Sequence, residues 1–470
     1  MFDFYFHFCF CETMRLREYQ VEAVENIRKA YSNGAKRILF VLPTGGGKTA
    51  IFSHITESAF KKSNSVFILV HREELLLQSS RKLAELGVPH GRISPAFSQT
   101  RDKIQVCSVQ TLVNRIKNIY GSPDLLIIDE AHHSTAGSYS KILEKWNKSL
   151  VLGVTATPER MDGTGLGNVF DTMIEGPSID QLTKSGHLSR FKVYAPPMSI
   201  NFDAIKISQG DYAKGEMEKV MDKPSITGSA VDHYNRLCNG LPAIAFCTTV
   251  KHANDVASQF NSSGIKSKCI DGNMEKIARR KVIDGLGKDY SVLTSCEIVS
   301  EGTDIPAVAG AILLRPTLSL GLYLQQVGRI LRPYEGKEYS VILDHVGNVV
   351  RHGFPDEIRK WSLEGKKRKK KQNGEEEDMN ILVCPSCYNV FKLNTLRQCP
   401  VCGSVSQPKI TNQIEEVDGS LVELDREKQG KKILVAKAKT LEQLQDVAKQ
   451  LGYKPGWAYF VHKSRKKGVA

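Results

Sequence analysis

No stretch of the 470 residues approaches the roughly 18 consecutive apolar residues that a membrane-crossing helix needs. The opening text, MFDFYFHFCFCETM, is aromatic but has neither a basic stretch nor a small-residue cleavage site, so it does not read as a secretory leader. Cysteine is not arranged as a disulfide scaffold. Of eleven, seven are scattered without pattern and read as reduced thiols in a reducing compartment. No segment repeats at a fixed period, which excludes a solenoid. Acidic residues are in deficit: Lys+Arg 65 against Asp+Glu 51 leaves a net charge of +14. What remains is an ordinary globular composition, 41% hydrophobic and 25% charged, of a length that suits about three domains. The basic balance points to a polyanionic partner, nucleic acid before an acidic membrane. It is uneven. Residues 351–470 carry 24 Lys+Arg and 15 acids, whereas residues 1–350 carry 41 and 36.

From Leu16 to about Val350, short apolar runs alternate with helical patterns. The runs are RILFVL (37–42), SVFILV (65–70), DLLIID (124–129), LVLGVT (150–155), AIAFCT (243–248), SVLTSC (291–296) and AGAILL (309–314). Runs of this length without polar alternation are β-strands buried on both faces, and alternation with helices makes the sheets parallel. Their number suits two sheets. The predicted fold class is therefore α/β with two tandem parallel-sheet domains.

Two motifs carry chemistry on their own residues. Leu42-Pro-Thr44-Gly45-Gly46-Gly47-Lys48-Thr49 lies between the run RILFV and the helical pattern AIFSHITESAF. A strand, a glycine loop and a helix in this order wrap backbone N–H groups around a triphosphate. Lys48 is placed to neutralise the β and γ phosphates, and Thr49 to hold Mg²⁺ through its hydroxyl. The strict pattern has glycine where Leu42 stands. The second motif, Asp129-Glu130-Ala131-His132, ends the run LLIID, 81 residues after Lys48. Carboxylates at the C-terminal end of a parallel strand stand at the rim where ligands bind. Asp129 fits the Mg²⁺-holding acid, and Glu130 fits the carboxylate that positions and deprotonates the attacking water. Alone, the pair reads equally well as an acidic helix start; beside a phosphate loop the catalytic reading dominates. His133 reads as a surface histidine.

In order along the chain, these and later motifs resemble a superfamily 2 helicase of the DEAD/DEAH type, over about residues 16–350. The nearest likeness within it is to RadD-like and phage DNA helicases, carried by GDYAKGEM, by LLRPTLSLGLYLQQVGRILRP followed by ILDHVGN, and by the cysteine cluster after them. The resemblance implies two RecA-like domains that close on ATP and Mg²⁺. It implies adenine reading at Gln20 and Arg17, within Leu16-Arg17-Glu-Tyr19-Gln20. It implies nucleic-acid contact at Arg72, in His71-Arg72-Glu-Glu-Leu75, and at Gln110 and Thr111. Coupling of hydrolysis to movement falls to His132, Thr155 and Thr157, and nucleotide contact in the second domain to Gly302 and Asp304. Gln325, Arg329 and Arg332 are implied as catalytic, the arginines supplying charge to the γ-phosphate. Each later motif is weak by itself; their order and spacing carry the likeness. The expected function is an ATP-dependent DNA helicase or translocase acting on single-stranded or branched DNA in replication, recombination or repair. The alternatives are a DNA-dependent ATPase that remodels protein–DNA complexes without separating strands, and an RNA helicase, because the tetrad 129–132 is shared with RNA enzymes. Single-strand-binding, replication and repair proteins are the expected protein partners. The expected location is the cytoplasm of a bacterium or phage-infected host.

After the motor comes a charge run, Lys366-Lys367-Arg368-Lys369-Lys370-Lys371, then Glu375-Glu376-Glu377-Asp378, the pattern of a solvated linker. Cys384-x-x-Cys387 and Cys399-x-x-Cys402 follow. Two such turns close on one tetrahedral Zn²⁺ with no open position, so the site is structural. It serves equally as a stability clip or as a docking ribbon. The last segment carries ten Lys+Arg, with Leu441, Leu444, Val447, Ala448 and Leu451 on one helical face and Trp457 as a core residue. The expected division is 1–13, an extension foreign to the protein or disordered; 14–186, the ATP-binding domain; 187–224, an inter-domain crossing; 225–355, the second domain; 356–380, a charged linker; 381–408, a zinc ribbon; and 431–470, a basic helical module.

Overall fold

The computed structural model describes residues 15–160, 163–195, 207–208, 211–212, 224–238, 240–296, 305, 308–364, 381–383, 390–392, 398, 403, 422–423, 438, 440–453, 456–459 and 461–462. Among them, two seven-stranded sheets form the body of the molecule. The first contains β1 (Arg37–Val41), β2 (Val66–Val70), β3 (Gly91–Ile93), β4 (Ile104–Ser108), β5 (Leu125–Asp129), β6 (Leu150–Thr155) and β7 (Thr172–Glu175). They lie in the order β3-β4-β2-β5-β6-β1-β7, every neighbour parallel. All seven predicted runs are strands of these two sheets. The central ones are apolar throughout because helices cover both faces: β2 and β5 are buried along their whole length. One face packs on α1 (Glu18–Ser32), α2 (Lys48–Lys61) and α3 (Glu73–Glu85), through side chains such as Ile27, Phe52 and Leu76. The other packs on Leu112, Ile142 and Phe170.

The second sheet begins earlier than the sequence suggests. β8 (Arg190–Ala195) lies in the segment expected as a crossing, yet it pairs in parallel with β15 (Tyr339–Asp344). The same segment gives a short antiparallel pair, β9 (Ile207–Ser208) and β10 (Asp211–Tyr212). Asp211, from the GDYAKGEM text, is buried and accepts from Thr317 Oγ1 at 2.9 Å and Leu318 N at 2.7 Å. It thus pins this segment to the loop ahead of helix Leu320–Ile330. The remaining strands are β11 (Ala243–Phe246), β12 (Ser267–Ile270), β13 (Val292–Ser295), β14 (Gly310–Leu313) and, from the C-terminal region, β18 (Val422–Glu423), in the order β12-β13-β11-β14-β15-β8-β18. Only β18 runs antiparallel, against β8.

The expected linker from 356 onward is, in its first part, packed chain. Asp356 is buried, and the Arg359 guanidinium donates to the carbonyls of His352, Phe354, Pro355 and Glu357 at 2.8–3.1 Å. Trp361 and Leu363 lie against the core of the first domain, and Gly167 N donates to Leu363 O at 2.8 Å. This strap, residues 353–364, carries the chain from the second domain back onto the first. Its composition concealed the packing, because one arginine satisfies carbonyls that water would otherwise take.

Candidate ATP and nucleic-acid site

The C-terminal ends of β1, β5 and β6 form one rim, as parallel pairing requires. From β1 the chain turns through Leu42–Gly47 into α2. Gly47 caps that helix with φ +87°, a left-handed conformation that costs glycine little, and a Cβ there would collide with Gln20 Nε2. The first turn of α2 therefore aims N–H groups into the loop beside Lys48 and Thr49. Lys48 Nζ donates to Leu42 O at 3.3 Å. Burial lowers the Lys48 pKa, and the carboxylates of Glu130 and Asp129 oppose that shift. Burial and the adjoining Glu130 push the Asp129 pKa up, against the pull of Lys48 and Arg329. Glu130 sits at φ +50°, ψ +55°, an uncommon conformation for a side-chain-bearing residue, which holds its carboxylate out of the helical turn that follows.

The tetrad continues into coupled contacts. His132 Nδ1 is 3.1 Å from Thr155 Oγ1 and 3.5 Å from Glu130 Oε2. Thr155 Oγ1 donates its one proton to Thr157 O at 2.8 Å, so His132 Nδ1 must be the donor in its contact with that oxygen. Thr157 reaches the second domain: a Cβ on Gly321 would stand 2.9 Å from Thr157 Oγ1. Helix Leu320–Ile330 therefore starts against the end of β6. It ends on the phosphate loop, where a Cβ on Gly328 would stand 2.5 Å from Thr44 Cβ, and Arg332 Cγ would lie 3.6 Å from a Cβ on Gly45. The charges of Arg329 and Arg332 both act on Lys48. Gln325 is buried one turn before Arg329, on the same helix. The structure thus brings Lys48, Asp129, Glu130, His132, Thr155, Thr157, Arg329 and Arg332 to one cleft, with Gln325 buried on the helix that carries the arginines.

Other expected residues are placed differently. Gln20 is buried, and both ends of its carboxamide bond to protein: Oε1 accepts from Arg17 N at 3.0 Å, and Nε2 donates to Gly46 O at 3.3 Å. Tyr19 OH donates to the same carbonyl at 2.7 Å, a contact the sequence did not announce. The Arg17 side chain is exposed and reaches Tyr19 OH at 3.2 Å. Arg72 caps α3 at the rim, and Gln110 is exposed, whereas Thr111 is buried with its hydroxyl 3.5 Å from Ser108 Oγ. Gly302, Asp304 and the four cysteines 384, 387, 399 and 402 lie outside the described residues. No group of histidine, cysteine or acidic residues suited to hold a metal occurs among the described residues.

Three groups escaped sequence reasoning. Lys337 donates to the carbonyls of Val308 (2.9 Å), Arg332 (2.8 Å) and Ile330, holding the end of the arginine-bearing helix. Arg279 pairs with Glu74, in the first turn of α3, at 2.8 Å, joining the two domains beside Arg72. His133, expected at the surface, is half-buried between His132 and His71. None has a local signal, since each depends on a partner distant in sequence or on an adjacent strand. A cavity of about 480 Å³ beside the loop is walled by Pro43, Thr44, Ala156, Leu324, Arg359 and Trp361, from both domains and the strap.

Two parallel α/β domains closed on a phosphate loop, with arginines from the second reaching the first, define a nucleic-acid-dependent ATPase of the helicase type. The chain belongs to the superfamily 2 helicases. Residues 13–160 match the family model described as type III restriction enzyme, res subunit, and residues 230–334 match the helicase conserved C-terminal domain. A 51.5 kDa protein of a Lactococcus phage (isolate 7-9) is 32% identical over 398 residues, covering 84% of each chain. IRC3 of Saccharomyces cerevisiae, assigned as an ATP-dependent helicase, is 30% identical over 71% of this chain, which spans about half (51%) of that protein. Among solved structures, the ATP-dependent type ISP restriction-modification enzyme LlaBIII bound to DNA matches with TM-score 0.55 and 21% identity, over 70% of this chain and 27% of that one. That last likeness supports the fold. Among the described residues, no helix is long and apolar enough to cross a membrane.

Proposed function

We propose that this ATPase is a DNA helicase or translocase whose hydrolysis requires closure of its two domains. The observation that carries the reading is the seat of helix Leu320–Ile330 on Thr44 and Thr157, which puts Arg329 and Arg332 beside Lys48. Lys48 and the loop N–H groups bind the triphosphate, while Tyr19 and Gln20 hold the loop at Gly46, beside which Gln20 meets the adenine edge. Thr49 and Asp129 are the residues suited to hold Mg²⁺, which when bound neutralises charge on the β and γ phosphates. Glu130 orients a water and takes its proton, and Arg329 and Arg332 stabilise the charge that moves onto the phosphates. Gln325 holds the arginine face of its helix against the loop. His132, Thr155 and Thr157 link this chemistry to Gly321 of the second domain, and Arg72 and Gln110 touch the nucleic acid.

DNA is favoured over RNA because a DNA-bound restriction enzyme shares the fold and the family resemblance lies with DNA enzymes. ATP turnover should rise at least about tenfold with single-stranded DNA and less than about twofold with RNA of equal length, and the DNA effect should weaken steeply with salt as phosphate contacts are lost. Equal or greater stimulation by RNA would overturn the preference. A strand-displacement assay run alongside separates unwinding from translocation alone.

The cysteine turns are proposed to hold one structural Zn²⁺. The two C-x-x-C spacings carry this reading; in the chain flanking them, β16 (Ile381–Val383) and β17 (Val390–Lys392) pair antiparallel, and Gln398 Nε2 donates to Gly403 O at 3.0 Å. Metal analysis of the purified chain should find one zinc per molecule, lost in Cys384→Ser together with Cys399→Ser. A metal-free chain with four titratable thiols would refute it.

A further inference from the structure

β2 and β5 are parallel neighbours, so their C-terminal ends emerge side by side. His71 directly follows β2 and precedes Arg72, the cap of α3. Glu130, His132 and His133 directly follow β5. Three imidazoles fill the gap between the two turns. The His71 and His133 rings are 4.6 Å apart at 56°, and the His133 and His132 rings are 4.2 Å apart at 44°. His132 in turn contacts Thr155 Oγ1 and Glu130 Oε2. Tilted rings at these separations are in van der Waals contact, so one cannot turn without moving the next. Behind them, His133 N donates to Glu130 O at 3.1 Å, tying the middle ring to the backbone of the strained carboxylate residue.

We propose that His133 is a positioning residue that transmits nucleic-acid occupancy at Arg72, through the His71 ring, to the His132–Glu130 pair. This rests on the reading of Arg72 as a nucleic-acid contact. A phosphate drawing Arg72 shifts the turn that carries His71. His133 hands that shift to His132, whose Nδ1 donates to Thr155 Oγ1 ahead of Thr157 and stands 3.5 Å from Glu130 Oε2. His133 touches neither ATP nor nucleic acid. Its role is the ratio between stimulated and unstimulated hydrolysis. Glu74, two residues past Arg72, meets Arg279 of the second domain, so the same turn also feels closure.

The test measures ATP turnover of the full-length protein against the concentration of a fluorescein-labelled oligothymidylate, with DNA affinity taken from anisotropy. In His133→Ala, maximal DNA-stimulated turnover should fall about tenfold, within the usual range of coupling between sites. DNA-free turnover and oligothymidylate affinity should stay within about twofold of wild type, and His133→Phe, which keeps a flat ring, should recover most of the stimulation. Wild-type stimulation in His133→Ala overturns the proposal. So does an equal fall of stimulated and DNA-free turnover, which would make His133 a support of the ATP site, and so does a His133→Phe no better than the alanine variant. A wild-type protein that oligothymidylate does not stimulate would sink the DNA reading itself, a separate result from the loss of stimulation in the variant alone.

Discussion

Glu130→Gln should reduce nucleic-acid-stimulated ATP turnover by at least about 100-fold, the size expected when a positioned general base is removed. The substitution keeps shape and a hydrogen-bonding carbonyl but removes the capacity to take a proton from water. The site makes that loss hard to compensate. Glu130 is buried, its backbone is held at φ +50°, and its carboxylate lies 3.5 Å from His132 Nδ1, so no neighbouring carboxylate can swing into its place. Asp129 is not placed to substitute, because its carboxylate already accepts from Glu130 N at 3.0 Å and is the acid proposed for Mg²⁺. Nucleotide binding should survive in Glu130→Gln. Lys48→Ala should lose binding as well, because the cation placed for the β and γ phosphates leaves, and two adjacent buried carboxylates lose one of the charges that offset them. Phosphate release together with binding of a fluorescent ATP analogue checks both. Wild-type-like turnover in either variant would remove this cleft from the reaction.

Arg329→Ala and Arg332→Ala should each cost about 100-fold or more in turnover while changing ATP affinity by only a few-fold, since arginines supplied from a second domain act chiefly on transition-state charge. The geometry separates the two effects. The phosphate loop is complete within the first domain, held by Gly46 contacts to Tyr19 and Gln20, so binding does not wait for the second. Arg332 approaches only because Gly328 allows its helix to pack against Thr44. Arg332→Lys should recover only part of the rate, because an ammonium lacks the planar fork that meets phosphate oxygens in pairs. Equal losses in binding and turnover would mean that the arginines belong to the ground-state pocket. Unchanged turnover would mean that closure does not build the active site.

Much of this was legible in advance, for a local reason. Parallel strands covered on both faces must be apolar at every position, so RILFVL, DLLIID and LVLGVT announced their sheets. The phosphate loop and the 129–132 tetrad were readable because a short contiguous segment contains the whole device: a strand end, a turn and a helix start. Gln20 shows the boundary of that method. Its motif implies a contact with the base, and the bonds of the side chain to Arg17 N and Gly46 O come to light only in the folding of α1 over the loop. Residues 356–364 and β8 look like connection in the sequence because their partners lie far along the chain: Gly167 for one, β15 for the other.

From residues alone came the α/β class, the ATP chemistry and the order of the motifs, all of which are written in segments short enough to be read locally. The tertiary structure decided which side chains share a cleft. It placed Arg332 over Gly45 and Gly321 on Thr157, and it set His133 between two other rings rather than at the surface. Those facts depend on pairing between β2 and β5 and on the packing of one domain against the other. Such contacts join residues tens to hundreds of positions apart, and no period or spacing in the chain records them.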